Sequence, residues 1–314
     1  MITANRVAPA RYKRRNRWAK NFADHWELYL IILIPLALLF IFYYYPMYGA
    51  QIAFKDFKIR KGIVGSDWAG VKHFEKFFGA YDFWPIILNT LTISLTSLLI
   101  GFPMPIILAI SINECRRSGI KKAVQMSTYA PYFISTVVLV SMMNIVLANE
   151  GLVNKVLDMI GFGKVNFLGD AGIFKFVYAI SGTWQSAGYG AIIYIAALSG
   201  VDPQQHEAAL IDGANKWQRI YHVDFPAIIP TAVLLMIMNL GQVMNVGFEK
   251  AFLMQNPMNM SQSNVISTYV YRIGLINNQP DYATAVGLFN SVVGLSLTVA
   301  ANYTARHVSG HSLW

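Results

Sequence analysis

The sequence predicts an all-α, polytopic membrane protein with six transmembrane helices. Three observations lead there. Of the 314 residues, 55% are hydrophobic and only 13% charged, whereas soluble domains carry about 25% charged residues. The apolar residues gather into six runs close to the ~20 residues a helix needs to cross a bilayer. Pro35, Pro103 and Pro105 fall inside these runs, and membrane helices tolerate proline because neighbouring groups re-satisfy the freed backbone.

The chain opens on a basic stretch, Arg11-Tyr12-Lys13-Arg14-Arg15-Asn16-Arg17. Residues 1–27 read as a basic cytoplasmic tail held near anionic lipid headgroups, with Trp18, Phe22 and Trp26 leading into the interface. The formal charge of +9 therefore points to membrane lipid, with no nucleic acid as partner. The apolar run that follows is too long for the core of a signal peptide, and no Ala-x-Ala site closes it. Residues 28–314 read as one membrane domain. Its single cysteine, Cys115, excludes a disulfide framework within the chain.

The six expected spans are Leu28–Tyr48, Ile86–Ile112, Tyr129–Leu147, Ile173–Leu198, Ala227–Val246 and Ala283–Tyr303. Between the first two lies an aromatic and charged segment, Met47–Pro85. It suits a short amphipathic helix on the membrane surface, or a loop folded over the span ends. In the fourth run Gly182, Ser186 and Gly190 are four apart and share a helix face, the spacing of tight helix packing; Gln185 and Tyr189 lie beside them. In the fifth, Asn239, Gln242 and Asn245 are three apart and are expected to cover one arc of the helix. Amides in a span need a partner helix, water or a polar ligand. Interhelical hydrogen bonding and a wall for a hydroxyl-rich ligand are equally open from spacing alone.

Between the fourth and fifth runs stands the one water-facing segment with strong pattern, residues 202–226. Asp202-Pro203 is a helix start, an N-cap followed by proline at the first position. Gly213 is where a short helix ends. A second short helix is expected through Trp217, Ile220 and Tyr221, ending before Pro226. Lys and Arg fix the orientation. The tail and the Cys115-Arg116-Arg117 loop lie close to span ends, which places both termini, and this elbow, in the cytoplasm.

Glu207-Ala208-Ala209, Asp212-Gly213-Ala214, Ile220, Pro226 and Pro230 together resemble the EAA signature of permease subunits of binding-protein-dependent ABC importers. Tyr129-Ala130-Pro131-Tyr132-Phe133-Ile134-Ser135 and Thr183-Trp184 extend the likeness to the carbohydrate-uptake, maltose-permease-like branch. The Pro131–Ser135 run looks like permeases for pectin- or alginate-derived oligosaccharides. The resemblance implies an ABC importer type I permease fold in the cell inner membrane. It implies that Glu207, Ala208, Ala209, Asp212 and Gly213 form a coupling helix seated on a cytoplasmic ATPase. It further implies that Tyr132, Gln185, Ser186, Tyr189, Gln242 and Asn245 line a sugar pocket, although Gln185 stands where the family residue is apolar. The implied partners are a homologous second permease, two cytoplasmic ATPase subunits, an extracytoplasmic solute-binding protein and an oligosaccharide substrate.

The sequence itself carries no nucleotide chemistry. The nearest approach to a phosphate loop, Gly161-Phe162-Gly163-Lys164, is followed by Val165 where Ser or Thr is required. The six histidines are scattered, so no metal site and no catalytic set can be drawn. The chain is expected to need no cofactor of its own, with ATP and Mg bound by the partner ATPase. The alternative is an ion-coupled transporter or a membrane-embedded enzyme. Either would require a buried carboxylate or a convergent acid–base set, and the spans are nearly free of ionisable residues.

Overall fold

The first expected span forms a helix that is apolar on every side. In the computed structural model, which describes residues 24–310 and 312–313, helix α1 runs Trp26–Phe54. Every side chain from Asp24 to Tyr48 is exposed, and a helix apolar all round belongs in a bilayer. A wide π turn over Phe40–Tyr44 precedes Pro46, with the Tyr45 N–H donating to Phe40 O. The looser turn accommodates a proline that cannot donate to the ladder. The first 23 residues of the expected tail lie outside the described residues. Of the described residues, 24–51 form one compact unit and those from Ile52 onward form a second.

The second unit opens with a two-residue antiparallel ladder that pairs Lys55–Asp56 with Asp67–Trp68. Helix α2, Lys72–Phe78, follows, with His73 and Phe77 buried. Phe77 sits in an apolar cluster with Ile86, Tyr269, Tyr282 and Val286. Residues 52–85 are therefore folded over the ends of the second and sixth expected spans. Helix α3 covers Phe83–Asn113. Helices α4 (Ser118–Phe133) and α5 (Thr136–Val146) meet at 104°. Then come α6 (Leu152–Met159), α7 (Ala171–Ser199), α8 (Pro203–Ile211), α9 (Lys216–Gly241), α10 (Phe248–Met254), α11 (Ile266–Tyr271) and α12 (Pro280–Ser309).

The helix α7 is the hub. It packs along α3 and against α9 and α4. Two clusters hold its ends. Phe174 and Val177 join Ile93, Leu139, Val140, Met143 and Met254. Ala191, Tyr194 and Leu198 join Ala109 of α3 and Ile228 of α9. At ~1.5 Å per residue its 29 residues are long enough to cross a bilayer. Its middle is less apolar than the other spans because it carries Gly182, Thr183, Gln185, Ser186 and Tyr189.

Three sequence expectations are corrected. The third run, Tyr129–Leu147, is not one helix. Ile134 and Ser135 are extended and break it, and the Ser135 side chain caps α5 by accepting from Val138 N. The second elbow helix does not stop before Pro226. It runs on as α9 through a π turn at Ile220–Asp224, where the Phe225 N–H reaches Ile220 O, so Pro226 meets a widened turn as Pro46 does. The fifth run ends as a helix at Gly241. Gln242 and Asn245 therefore lie on a turn, with Asn245 N donating to Gln242 O at 2.8 Å, and do not share a helical arc with Asn239.

Candidate functional site

The polar side chains of the middle of the chain converge on one cavity of about 600 Å³. Its wall is built by α3, the end of α4, the middle of α7, the end of α9 with the turn after it, and α10. All six expected pocket residues, Tyr132, Gln185, Ser186, Tyr189, Gln242 and Asn245, line it. So do Asn239 and the small-residue stripe Gly182, Ser186 and Gly190. The stripe was expected to pack against a helix. Its two glycines meet neighbouring helices: a Cβ at Gly190 would lie 3.2 Å from Pro105 of α3, and one at Gly182 would lie 3.0 Å from the tip of Lys250 of α10. The tightest helix contact falls at Gly188, where a Cβ would overlap the Thr128 carbonyl of α4.

The lining residues are held in different ways. Tyr132 follows the α4 turn and stacks on Tyr189 of α7. Gln185 donates from Nε2 to Ile134 O at 2.7 Å, satisfying a carbonyl freed by the break between α4 and α5. Asn245 Nδ2 donates to Gln242 Oε1 at 3.1 Å, which leaves the Gln242 amide group and the Asn245 carbonyl for other partners. Ser97 Oγ of α3 is buried with no hydrogen-bond partner among the described residues, and it also lines the cavity.

Sequence reasoning missed Lys250. It lies on α10, is 9% exposed, and its Nζ donates to Tyr178 O at 2.8 Å while standing 4.5 Å from the centre of the Tyr178 ring. Burial lowers its pKa to about 8. The available signal was a lysine set within Phe248, Ala251 and Phe252.

The elbow is fixed by local caps. Asp202 Oδ1 accepts from Gln204 N at 2.9 Å. Gly213 has φ +77°, and Ala214 N reaches Ala209 O at 2.9 Å while Gly213 N reaches Leu210 O at 3.1 Å. That pair of bonds closes a helix through a left-handed residue, which favours glycine. Asn215 and Gln218 then exchange side-chain and backbone bonds to open α9. Glu207, Ala208, Asp212 and Gly213 are exposed and Ala209 is half-buried. Leu210, Ile211 and Trp217 are 56%, 86% and 78% exposed, an unusual load of apolar surface on a hydrophilic segment. Beneath it, His206 Nε2 lies 3.3 Å from Oδ1 of the buried Asp224, and Lys216 lies 3.5 Å from Glu114 just past α3. The elbow is thus tied to two of the spans.

On the other side of the spans, Asp56, His73 and Asp281 bring their ligand atoms within 4.8 Å of one another. Protein groups already engage them. Lys72 sits 2.8 Å from Asp56, His73 Nε2 bonds Lys55 O at 3.0 Å, and Asp281 accepts from Phe57 N and Tyr282 N. The cluster clasps residues 55–73 to the start of α12.

Residues 101–310 match the family described as binding-protein-dependent transport system inner membrane component. The chain is 39% identical, over 98% of both chains, to the polygalacturonan/rhamnogalacturonan transport system permease protein YteP of Bacillus subtilis (strain 168). It is 38% identical to protein LplB of the same organism, over 93% of this chain and 92% of that one. It is also similar to a solved chain of a bacterial ABC transporter involved in the import of the acidic polysaccharide alginate. That likeness has a TM-score of 0.85 at 40% identity and covers 94% of this chain and 100% of the other. A second such structure, in complex with an alginate pentasaccharide-bound periplasmic protein, has a TM-score of 0.86 at 39% identity and covers 95% and 100%.

Proposed function

The chain belongs to the family of binding-protein-dependent transport system inner membrane components, and on that premise we propose that it is the permease subunit through which an oligosaccharide derived from pectin or alginate enters the cell. One arrangement carries this reading. A cavity lined by amides and tyrosines sits among the spans, and α7, which lines it, leads directly into an exposed, rigidly capped elbow. Amide groups and aromatic faces suit hydroxyl-rich ligands.

The protein works as a multi-pass component of the inner membrane with both termini in the cytoplasm. A second, homologous permease completes the passage. An extracytoplasmic binding protein delivers the sugar. Two cytoplasmic ATPase subunits hold ATP and Mg and receive Leu210, Ile211 and Trp217 of the elbow, with Glu207 and Asp212 at the edge of the contact. When ATP draws these subunits together, the elbow moves, and the His206–Asp224 and Lys216–Glu114 contacts pass that movement to α9 and α3. ATP drives this step only by binding one state of the assembly more tightly than the other. An ion-coupled carrier or a membrane-embedded enzyme is not favoured, because the cavity lining contains neither a carboxylate nor a histidine.

Two experiments test the reading. Co-purification from native membranes, followed by mass spectrometry of the bound chains, should recover two permeases, ATPase subunits and a binding protein. Recovery of this chain alone, with uptake surviving without a nucleotide-hydrolysing partner, overturns it. Single cysteines in a Cys115→Ser background test the orientation. A cysteine at Ser118 should be silent to an impermeant thiol reagent in whole cells and one at Ser261 should label. The reverse pattern would leave the elbow on the wrong side to meet a cytoplasmic ATPase.

A further inference from the structure

Among the described residues, Lys250 is the only Lys, Arg, Asp, Glu or His in the cavity lining. Its ammonium is buried, donates to Tyr178 O at 2.8 Å, and faces the Tyr178 ring at 4.5 Å. Among the described residues no carboxylate lies within the 4.0 Å of an ion pair. An ammonium has three donors, and the protein supplies an acceptor for one. A cation–π contact offsets part of the lost hydration, but a buried charge without a counter-ion is costly and is retained only where something compensates for it. A Cβ at Gly182 of α7 would stand 3.0 Å from Lys250 Nζ, tighter than an ordinary contact, so glycine there leaves the ammonium its place at the cavity. Gln242 and Asn245 line the same cavity. Amides already suit the hydroxyls of a neutral sugar, which has no need of a cation.

We propose that Lys250 is the residue that recognises a carboxylate on the transported sugar. The inference rests on the pectin- or alginate-derived oligosaccharide reading above and adds the residue that reads the acid group. The carboxylate enters as the missing counter-ion, and the amides of Gln242 and Asn245 hold the neighbouring hydroxyls.

The test uses the complete importer in proteoliposomes, with its binding protein loaded with trigalacturonate or with the methyl ester of the same trisaccharide. Uptake and melting temperature are measured for the wild type, Lys250→Arg and Lys250→Gln. The expected pattern has three parts. Lys250→Gln loses tenfold or more of trigalacturonate uptake at an unchanged melting temperature. Lys250→Arg keeps most of it. Ester uptake is the same in Lys250→Gln as in the wild type. Three results overturn the role of Lys250: trigalacturonate carried by Lys250→Gln at the wild-type rate, acid and ester falling by the same factor, or equal losses in the arginine and glutamine variants. A wild-type importer that carries the ester better than the acid overturns the pairing of Lys250 with a carboxylate. A wild-type importer that carries neither these nor any other oligosaccharide overturns the oligosaccharide reading itself, a failure distinct from the others.

Discussion

The rings of Tyr132 and Tyr189 stack with their centroids 3.9 Å apart and their planes 6° from parallel. The two residues reach the cavity from different directions, Tyr132 from the end of α4 and Tyr189 from the middle of α7. Each remains more than 40% exposed, so the pair offers an open aromatic face to the cavity. A stacked pair contributes about 1 kcal/mol beyond its buried area. Tyr132→Phe and Tyr189→Phe should keep both the stack and the transport. Tyr189→Leu should lower the melting temperature slightly and uptake strongly. Unchanged uptake in the leucine variant would remove the aromatic face from the substrate path.

Gly188 tests the contact that frames the cavity from behind. Its Cα lies against the Thr128 carbonyl, and a Cβ there would overlap backbone that cannot rotate away. Overpacking of this kind costs about 1–3 kcal/mol. Gly188→Ala should therefore reduce the yield of folded protein and its thermal stability. Gly182→Ala should not, since its nearest neighbour is the far end of the flexible Lys250 side chain. Equal stability of the two variants in detergent would show that α4 can slide along α7 without penalty.

The elbow gives a pair of variants with opposite structural consequences. Gly213 holds φ +77° and donates its N–H to Leu210 O. Proline can do neither, since its φ is fixed near −65°, so Gly213→Pro distorts the elbow itself. Glu207 is exposed and leaves no buried partner behind, so Glu207→Ala should leave stability unchanged. Both variants should insert in the membrane and lose uptake. Wild-type uptake by Glu207→Ala at normal expression removes that carboxylate from the contact with the ATPase. Wild-type uptake by Gly213→Pro removes the need for a rigid elbow.

How much of this was legible in the sequence depended on how local the cause was. The elbow could be read because its determinants, Asp202, Pro203 and Gly213, act within a few residues of themselves. The break at Ile134–Ser135 could not. The carbonyl it frees is satisfied by Gln185, 51 residues away, and nothing near Pro131 reveals that partner. The end of α9 at Gly241 was hidden in the same way. A Cβ at Gly241 would overlap Thr298 of α12, so that glycine serves a close approach that periodicity cannot show. Lys250 was passed over because it falls after the last residue of the fifth expected span, while its side chain lines the cavity. Asn256 and Asn259 also lie between the expected fifth and sixth spans. They bond Leu168 O at 2.7 and 2.9 Å and brace that segment from within.

The pH dependence of uptake follows from Lys250. With its pKa lowered to about 8 by burial, the empty cavity loses its positive charge as pH rises through that value. Below it the ammonium is present and attracts a carboxylate. Above it the neutral amine does not. Uptake of trigalacturonate at limiting concentrations of loaded binding protein, which reports the empty permease, should fall between pH 7 and pH 9. The Lys250→Arg importer should show no such fall, because a guanidinium stays charged throughout this range. The same fall in both proteins would trace the effect to another group.

Gln242, Asn245 and Gln185 are all amides of the cavity lining, and their hydrogen bonds separate them. Gln185 is committed, its Nε2 bonded to the orphaned Ile134 carbonyl. Leucine there leaves that carbonyl unpaired at a half-buried break, which costs about 1–3 kcal/mol. Gln185→Leu should therefore lower thermal stability as well as uptake. Gln242 and Asn245 bond chiefly to each other at 3.1 Å, and their remaining groups face the cavity. Leucine at either position keeps similar bulk and strands only its exposed partner, so folding should survive. The sugar would lose hydrogen bonds contributing about 1 kcal/mol each. The binding protein makes the first selection, so the loss should appear in the uptake rate and in the ATPase activity stimulated by loaded binding protein. A purely architectural role for these two amides predicts the opposite, reduced stability with normal turnover per folded molecule. Stability and transport measured on the same reconstituted variants separate the two, and normal transport by both Gln242→Leu and Asn245→Leu would sink the pocket assignment.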